Sequence, residues 1–175
     1  ATLAASGEDF PLSRFLGRTS PTTRAVGYGK SAFVFHMIRQ RLGDEPFWQS
    51  LRDIYRQRLF RRSSWEDFRK TFVETGHWDS SESRRFLDQW VQRSGAPTLE
   101  LKNVRRTETE GEWRVEGSIS QSSPPYELRM PLHLETTSGT MKQIIALNGD
   151  TAHFSFRSPH FPERLVVDPD TNVFR

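Results

Sequence analysis

The chain has 175 residues, no cysteine, 34% apolar and 12% aromatic residues, and a formal net charge of +3. Such a composition belongs to a globular chain with one respectable core or two small ones, and it excludes disulfides and thiol chemistry. No apolar run approaches the roughly 20 residues of a membrane-spanning helix and the first residues carry no secretory pattern, so a soluble protein without a membrane span is expected.

The absence of cysteine suits either the cytoplasm or the periplasm and does not choose between them. The basic balance rests on 21 arginines against 4 lysines, a bias that looks more like codon usage than a phosphate-binding surface. Arg52, Arg56, Arg58, Arg61 and Arg62 gather at the expected end of one helix. The helix dipole favours cations there, so the cluster reads as a solvated face and no nucleic-acid partner is expected.

Residues 1–24 read as an irregular approach in which Ala1 to Ala5 finish an upstream helix. Phe10-Pro11-Leu12 and Thr19-Ser20-Pro21 then punctuate a loop anchored by Phe10, Leu12, Phe15 and Leu16. Its arginines, Arg14, Arg18 and Arg24, read as surface or structural residues.

The stretch Gly27 to Gly43, GYGKSAFVFHMIRQRLG, is apolar on nearly every side, as in a helix enclosed by other elements, with Gly43 as its left-handed stop. Glycines at 27 and 29 leave the backbone around Tyr28 bare. The phenol is expected to project from a helix start, where partial positive charge collects and oxyanions are favoured. A tyrosine on such a helix more commonly caps a neighbouring backbone group.

A second helix is expected from Glu45 to about Phe60, capped by Asp44, with Phe47, Trp48, Leu51, Ile54, Tyr55 and Leu59 on its apolar face and Tyr55 in the core. A third starts at a capping box, Ser63-Ser64-Trp65-Glu66, and turns Phe68, Phe72 and Val73 inward before Gly76. His77 and Trp78 fall in the following turn. A fourth, from about Ser81 to Arg93, buries Phe86, Leu87, Trp90 and Val91.

After Pro97 the period changes from helical to alternating. Leu99, Leu101 and Val104 suggest one strand, Trp113, Val115 and Ile119 a second, and Tyr126 to Leu134 a third. Thr136-Thr137-Ser138-Gly139 and Asn148-Gly149-Asp150 read as turns between the later strands. The expected fold is therefore α+β, a helical lobe over residues 1–97 followed by a small antiparallel β-sandwich over 98–175. Asp168 and Asp170, flanking Pro169, read as a turn because calcium needs more ligands.

Tyr28-Gly29-Lys30-Ser31-Ala32, the Leu42-Gly43-Asp44-Glu45 junction, Phe47-Trp48, and Trp90 through Gly95-Ala96-Pro97 resemble the aminopeptidase N family of zinc-dependent gluzincin peptidases. The resemblance covers roughly residues 10 to 101. It implies that Tyr28 donates a hydrogen bond to the tetrahedral intermediate formed when water attacks a peptide carbonyl, and that the stretch carrying Arg14, Arg18 and Arg24 runs past the active-site cleft, where these arginines could face substrate.

The motif that binds zinc in that family, HExxH, does not occur here. His36, His77, His133, His153 and His160 are scattered. The Gly-x-Met-Glu-Asn stretch that captures the substrate amine in the family is also missing. The chain is therefore expected to be a C-terminal fragment of a larger aminopeptidase, supplying Tyr28 but no metal ligand and inactive alone, with zinc carried elsewhere in the parent. Its expected partners are the upstream domains and a peptide substrate, with self-association through an exposed helical face. The alternative is a noncatalytic peptide- or protein-binding module of a degenerate peptidase-like protein.

Overall fold

The computed structural model describes residues 9–175, so the helix expected at Ala1 to Ala5 lies outside the described residues. The chain divides into two compact units, Ala1–Gly95 and Ala96–Arg175. The layout is α+β, with four main helices followed by six antiparallel strands in two sheets. No helix among the described residues is long and apolar enough to cross a membrane.

The first helical run begins earlier than glycine positions suggest. The Ser20 hydroxyl accepts a hydrogen bond from the Thr23 amide at 3.1 Å, the Thr23 hydroxyl accepts one from the Ser20 amide at 2.8 Å, and Pro21 takes the first helical position. From this cap the chain runs through α1 (Pro21–Arg24), a π-helical segment (Ala25–Lys30) and α2 (Ser31–Leu42). The backbone stays right-handed helical at both joints, with φ and ψ of −63° and −44° at Ala25 and −63° and −40° at Lys30.

Two expectations are corrected here. The segment before Gly27 is partly helical, and Tyr28 lies inside a helical run instead of at its start. A glycine in a helix costs only about 1 kcal/mol, so Gly27 and Gly29 do not have to end one.

Within this unit α2 fully buries Val34 and Ile38, while Phe33, Phe35, His36 and Met37 are half-buried, so the helix is not enclosed on every side. Gly43, at φ 87°, ends α2 and directly precedes α3 (Asp44–Arg58). Asp44 is consequently the first helical residue, not the cap. Its carboxylate accepts two hydrogen bonds from Arg39, at 2.7 and 2.8 Å.

Along α3, Phe47 and Ile54 are buried but Trp48 and Tyr55 are exposed, as is Leu59 just past its end. Tyr55, expected in the core, is 66% exposed, because its apolar stripe is wider than the face that the neighbouring helices cover. The arginines at this end find local partners: Arg52 on Gln49 at 2.8 Å, Arg56 on Asp53 at 3.7 Å, and Arg58 on Asp67.

The capping box of α4 (Trp65–Glu74) is made by Ser64 and Asp67, one register later than the expected Ser63–Glu66 pair. Glu66 instead pairs with Arg69 at 2.7 Å. Asp79 caps α5 (Ser80–Leu87), which continues into a second π-helical segment, Asp88–Gln92, burying Leu87, Trp90 and Val91. Phe35 meets Phe68 edge-on at 5.3 Å, and Phe47 stacks on Phe72 at 5.9 Å, so α2, α3 and α4 share one aromatic core.

The second unit contains β1 (Leu99–Thr109), β2 (Glu112–Gln121), β3 (Leu128–Thr136), β4 (Gly139–Leu147), β5 (Thr151–Ser158) and β6 (Pro162–Val167). One sheet has the order β1-β2-β5 and the other β4-β3-β6. Alternation decides what is buried: Leu128, Met130, Leu132 and Leu134 from β3 face inward, as do Val115 and Ile119 from β2 and Phe154 and Phe156 from β5. Leu101 and Val104 lie on β1 as expected but are exposed, because β1 is an edge strand bulged between Lys102 and Arg105.

Tyr126 precedes β3 instead of joining it and is buried, its amide donating to Gln121 Oε1 at 2.9 Å. Asp168 accepts from the amides of Asn172 and Val173 at 2.7 and 3.1 Å and from Arg175 at 2.6 Å, which makes it the lock of a terminal turn.

Candidate functional site

The π-helical segment Ala25–Lys30 carries the chemistry-bearing residues of the helical unit. π turns are uncommon within α-helices and often mark functional positions. Side chains in this one point in opposite senses. Val26, Gly27 and Lys30 are buried, whereas Tyr28 and Gly29 are exposed.

On the buried side, Lys30 is 2% exposed. Its Nζ donates to the carbonyl oxygens of Arg93 at 2.8 Å and Gly95 at 3.1 Å, just beyond the second π segment. Carbonyls past a helix end favour a cation. Burial is the main influence on this ammonium and lowers its pKa; Asp9 opposes that shift and Arg93 adds to it. The Gly95 amide in turn donates to the Asp9 carboxylate. Lys30 and Asp9 thus tie the π segment to the end of the unit, which identifies Lys30 as a clasp.

Gly27 is required by sterics. A Cβ placed there would run into the Phe15 ring. That ring meets the Tyr28 ring edge-on, with centroids 5.9 Å apart and planes at 80°. Phe15 therefore occupies the space over Gly27 while steadying the neighbouring phenol. A Cβ at Gly29 would meet nothing within 4 Å, so the outer side of the turn is open.

Tyr28 is 60% exposed and lines an open concavity of about 820 Å³. Arg18, Ser20, Arg24 and Gly29 contribute to the same walls, and no acidic residue among the described residues lines them. Ser20 is committed to its cap, whereas the Tyr28 hydroxyl can donate or accept. The cavity therefore presents a phenol and two guanidinium groups. It is suited to an oxygen that carries or develops negative charge.

Of the arginines singled out in the sequence, Arg18 and Arg24 lie beside Tyr28, while Arg14 does not line this cavity. Their convergence was signalled only by the Ser20–Pro21 cap, which makes the run from Arg24 to Tyr28 helical and places the two about one turn apart. His77 sits exposed in a turn at φ 54°, and among the described residues no group of three His, Cys, Asp or Glu could hold a metal ion.

No family model matches the chain. Over 83 residues it is 28% identical to an aminopeptidase N of Lactococcus lactis subsp. lactis, an alignment covering 47% of this chain and 9% of that protein. Over 107 residues it is 26% identical to an aminopeptidase N of Escherichia coli (strain K12), covering 61% of this chain and 12% of that protein. Among solved structures it resembles an aminopeptidase A of Legionella pneumophila, crystallised with aspartic acid, with a TM-score of 0.59 and 21% identity over 82% of this chain and 16% of that one. The chain is thus related to peptidases and spans about a tenth of the curated relatives it matches.

Proposed function

We propose that this chain belongs to a zinc aminopeptidase of the gluzincin type, and that Tyr28 supplies a hydrogen bond to the oxyanion formed as a peptide bond is cleaved. The observation that carries this reading is the placement of Tyr28. Its phenol is accessible, its ring is braced by Phe15, and its turn is held from behind by Lys30.

As the peptide carbonyl becomes tetrahedral, negative charge grows on its oxygen. A donor already aimed at that oxygen lowers the barrier by roughly 3 kcal/mol. Bracing the phenol avoids ordering it at the moment of reaction. In this proposal the metal and the activation of water come from other parts of the parent protein, since no group of three His, Cys, Asp or Glu among the described residues could hold a metal ion.

The test is to recover the natural protein with an antibody raised against this chain, then measure its intact mass, zinc content and release of N-terminal residues from peptides. A protein much larger than 20.4 kDa that binds zinc and shortens peptides is expected. A metal-free, inactive protein would contradict the proposal and leave the noncatalytic binding module in its place.

A further inference from the structure

We infer that Arg18 and Arg24 form a carboxylate-recognition site, which selects peptides bearing an acidic group close to the bond that Tyr28 attends. The inference rests on the reading of the Tyr28 cavity as a peptide site. It adds a substrate class and two specificity-determining residues.

The helical unit pairs many of its arginines with acids. Arg39 reaches Asp44 at 2.7 Å, Arg41 reaches Glu82 at 2.6 Å and Arg69 reaches Glu66 at 2.7 Å. Arg18 and Arg24 have no side-chain partner among the described residues, yet both line one concavity. Two like charges on shared walls repel each other until an anion enters between them. A guanidinium offers a planar fork of N–H donors that matches a carboxylate.

The elements that deliver them are distinct. Arg18 comes from the segment before the Ser20 cap, and Arg24 ends α1 one helical turn before Tyr28. A single anion can therefore be approached from two directions while the phenol faces the same space. In a peptide the acid is either the terminal α-carboxylate or an aspartate or glutamate side chain. Both offer the same chemistry to the arginines.

The experiment is an NMR titration of the 175-residue chain with three peptides: Ala-Ala-Ala as the free acid, Ala-Ala-Ala as the C-terminal amide, and Ala-Asp-Ala as the amide. At least one acidic peptide is expected to bind roughly tenfold more tightly than the neutral amide, shifting resonances of Arg18, Arg24 and Tyr28. Preference for the free acid assigns the terminal carboxylate; preference for the aspartyl amide assigns the side chain.

Arg18→Gln and Arg24→Gln should each remove most of that preference, and the lysine variants should restore part of it, since lysine keeps the charge without the fork. Arg52→Gln, outside the cavity, should leave it intact. Equal affinity for acidic and neutral peptides, no detectable binding, or indifference to both glutamine variants would overturn the inference. The acid preference is read by binding and the role of Tyr28 by turnover of the full-length protein, so a failure of the catalytic reading and a failure of this one are separable.

Discussion

Lys30 Nζ donates to the Gly95 carbonyl oxygen at 3.1 Å across 65 positions of sequence, from a residue two places after Tyr28. The same ammonium donates to the Arg93 carbonyl at 2.8 Å, so one side chain closes the helical unit on itself.

Replacing Lys30 by Met leaves those two carbonyls without their cation but also removes the cost of burying a charge. The net loss is expected to be about 1–3 kcal/mol, read as a lower urea midpoint. Burial lowers the folded-state pKa of Lys30, so between that value and the unfolded one the unfolded chain binds more protons. The Lys30 contribution therefore makes stability rise with pH across that window. The methionine variant should lose this rise, and an unchanged midpoint and pH profile would contradict the clasp.

Gly27 and Gly29 flank the same tyrosine and should respond oppositely to alanine. Gly27→Ala drives a methyl into the Phe15 ring and is expected to cost about 1–3 kcal/mol. Gly29→Ala meets open space in a helical backbone and should be neutral or stabilise by up to about 1 kcal/mol. Thermal denaturation of both variants decides it. Equal destabilisation would contradict the described turn.

Gln121 is the polar key of the β unit. Its amide donates to the carbonyls of Tyr126 and Gly149, both at 2.8 Å, and its oxygen accepts from the Tyr126 amide. Gln121→Leu removes three hydrogen bonds to backbone groups at once, an expected loss of about 2–4 kcal/mol in urea denaturation. A loss below about 1 kcal/mol would mean that water replaces the side chain.

Acid should weaken the helical unit. Asp44 is held below the ordinary carboxylate range first by its hydrogen bond from Arg39, Glu66 first by that from Arg69, and Asp67 first by the Ser64 amide. Their folded pKa values are depressed, so the unfolded chain binds more protons as pH falls. The contribution of these three carboxylates should be level above about pH 5 and decline below about pH 4.5. A urea midpoint that rises on acidification would contradict these contacts.

The broad architecture was legible because period carries it. The helical stripes of α3 to α5 and the alternation from Tyr126 to Leu134 each follow one repeat. Tyr28 drew notice through its glycines, but its place inside a helix did not, because a π turn has no simple residue signature and the Ser20–Pro21 start was hidden by apparent loop punctuation. Tyr55 shows a further limit: an apolar stripe tells which face a helix can bury, not how much of it a neighbour covers. The grouping of Arg18 and Arg24 with Tyr28 depends on where that helix starts, which only the Ser20–Pro21 cap marks in the sequence.

The role of Tyr28 is tested most directly by the turnover of the natural, full-length protein with Tyr28 replaced by Phe. Its kcat is expected to fall about 100- to 1,000-fold, with KM and bound zinc little changed, because only the transition state loses a hydrogen bond. Unaltered kcat in a folded, zinc-loaded variant would contradict it and return Tyr28 to a structural role.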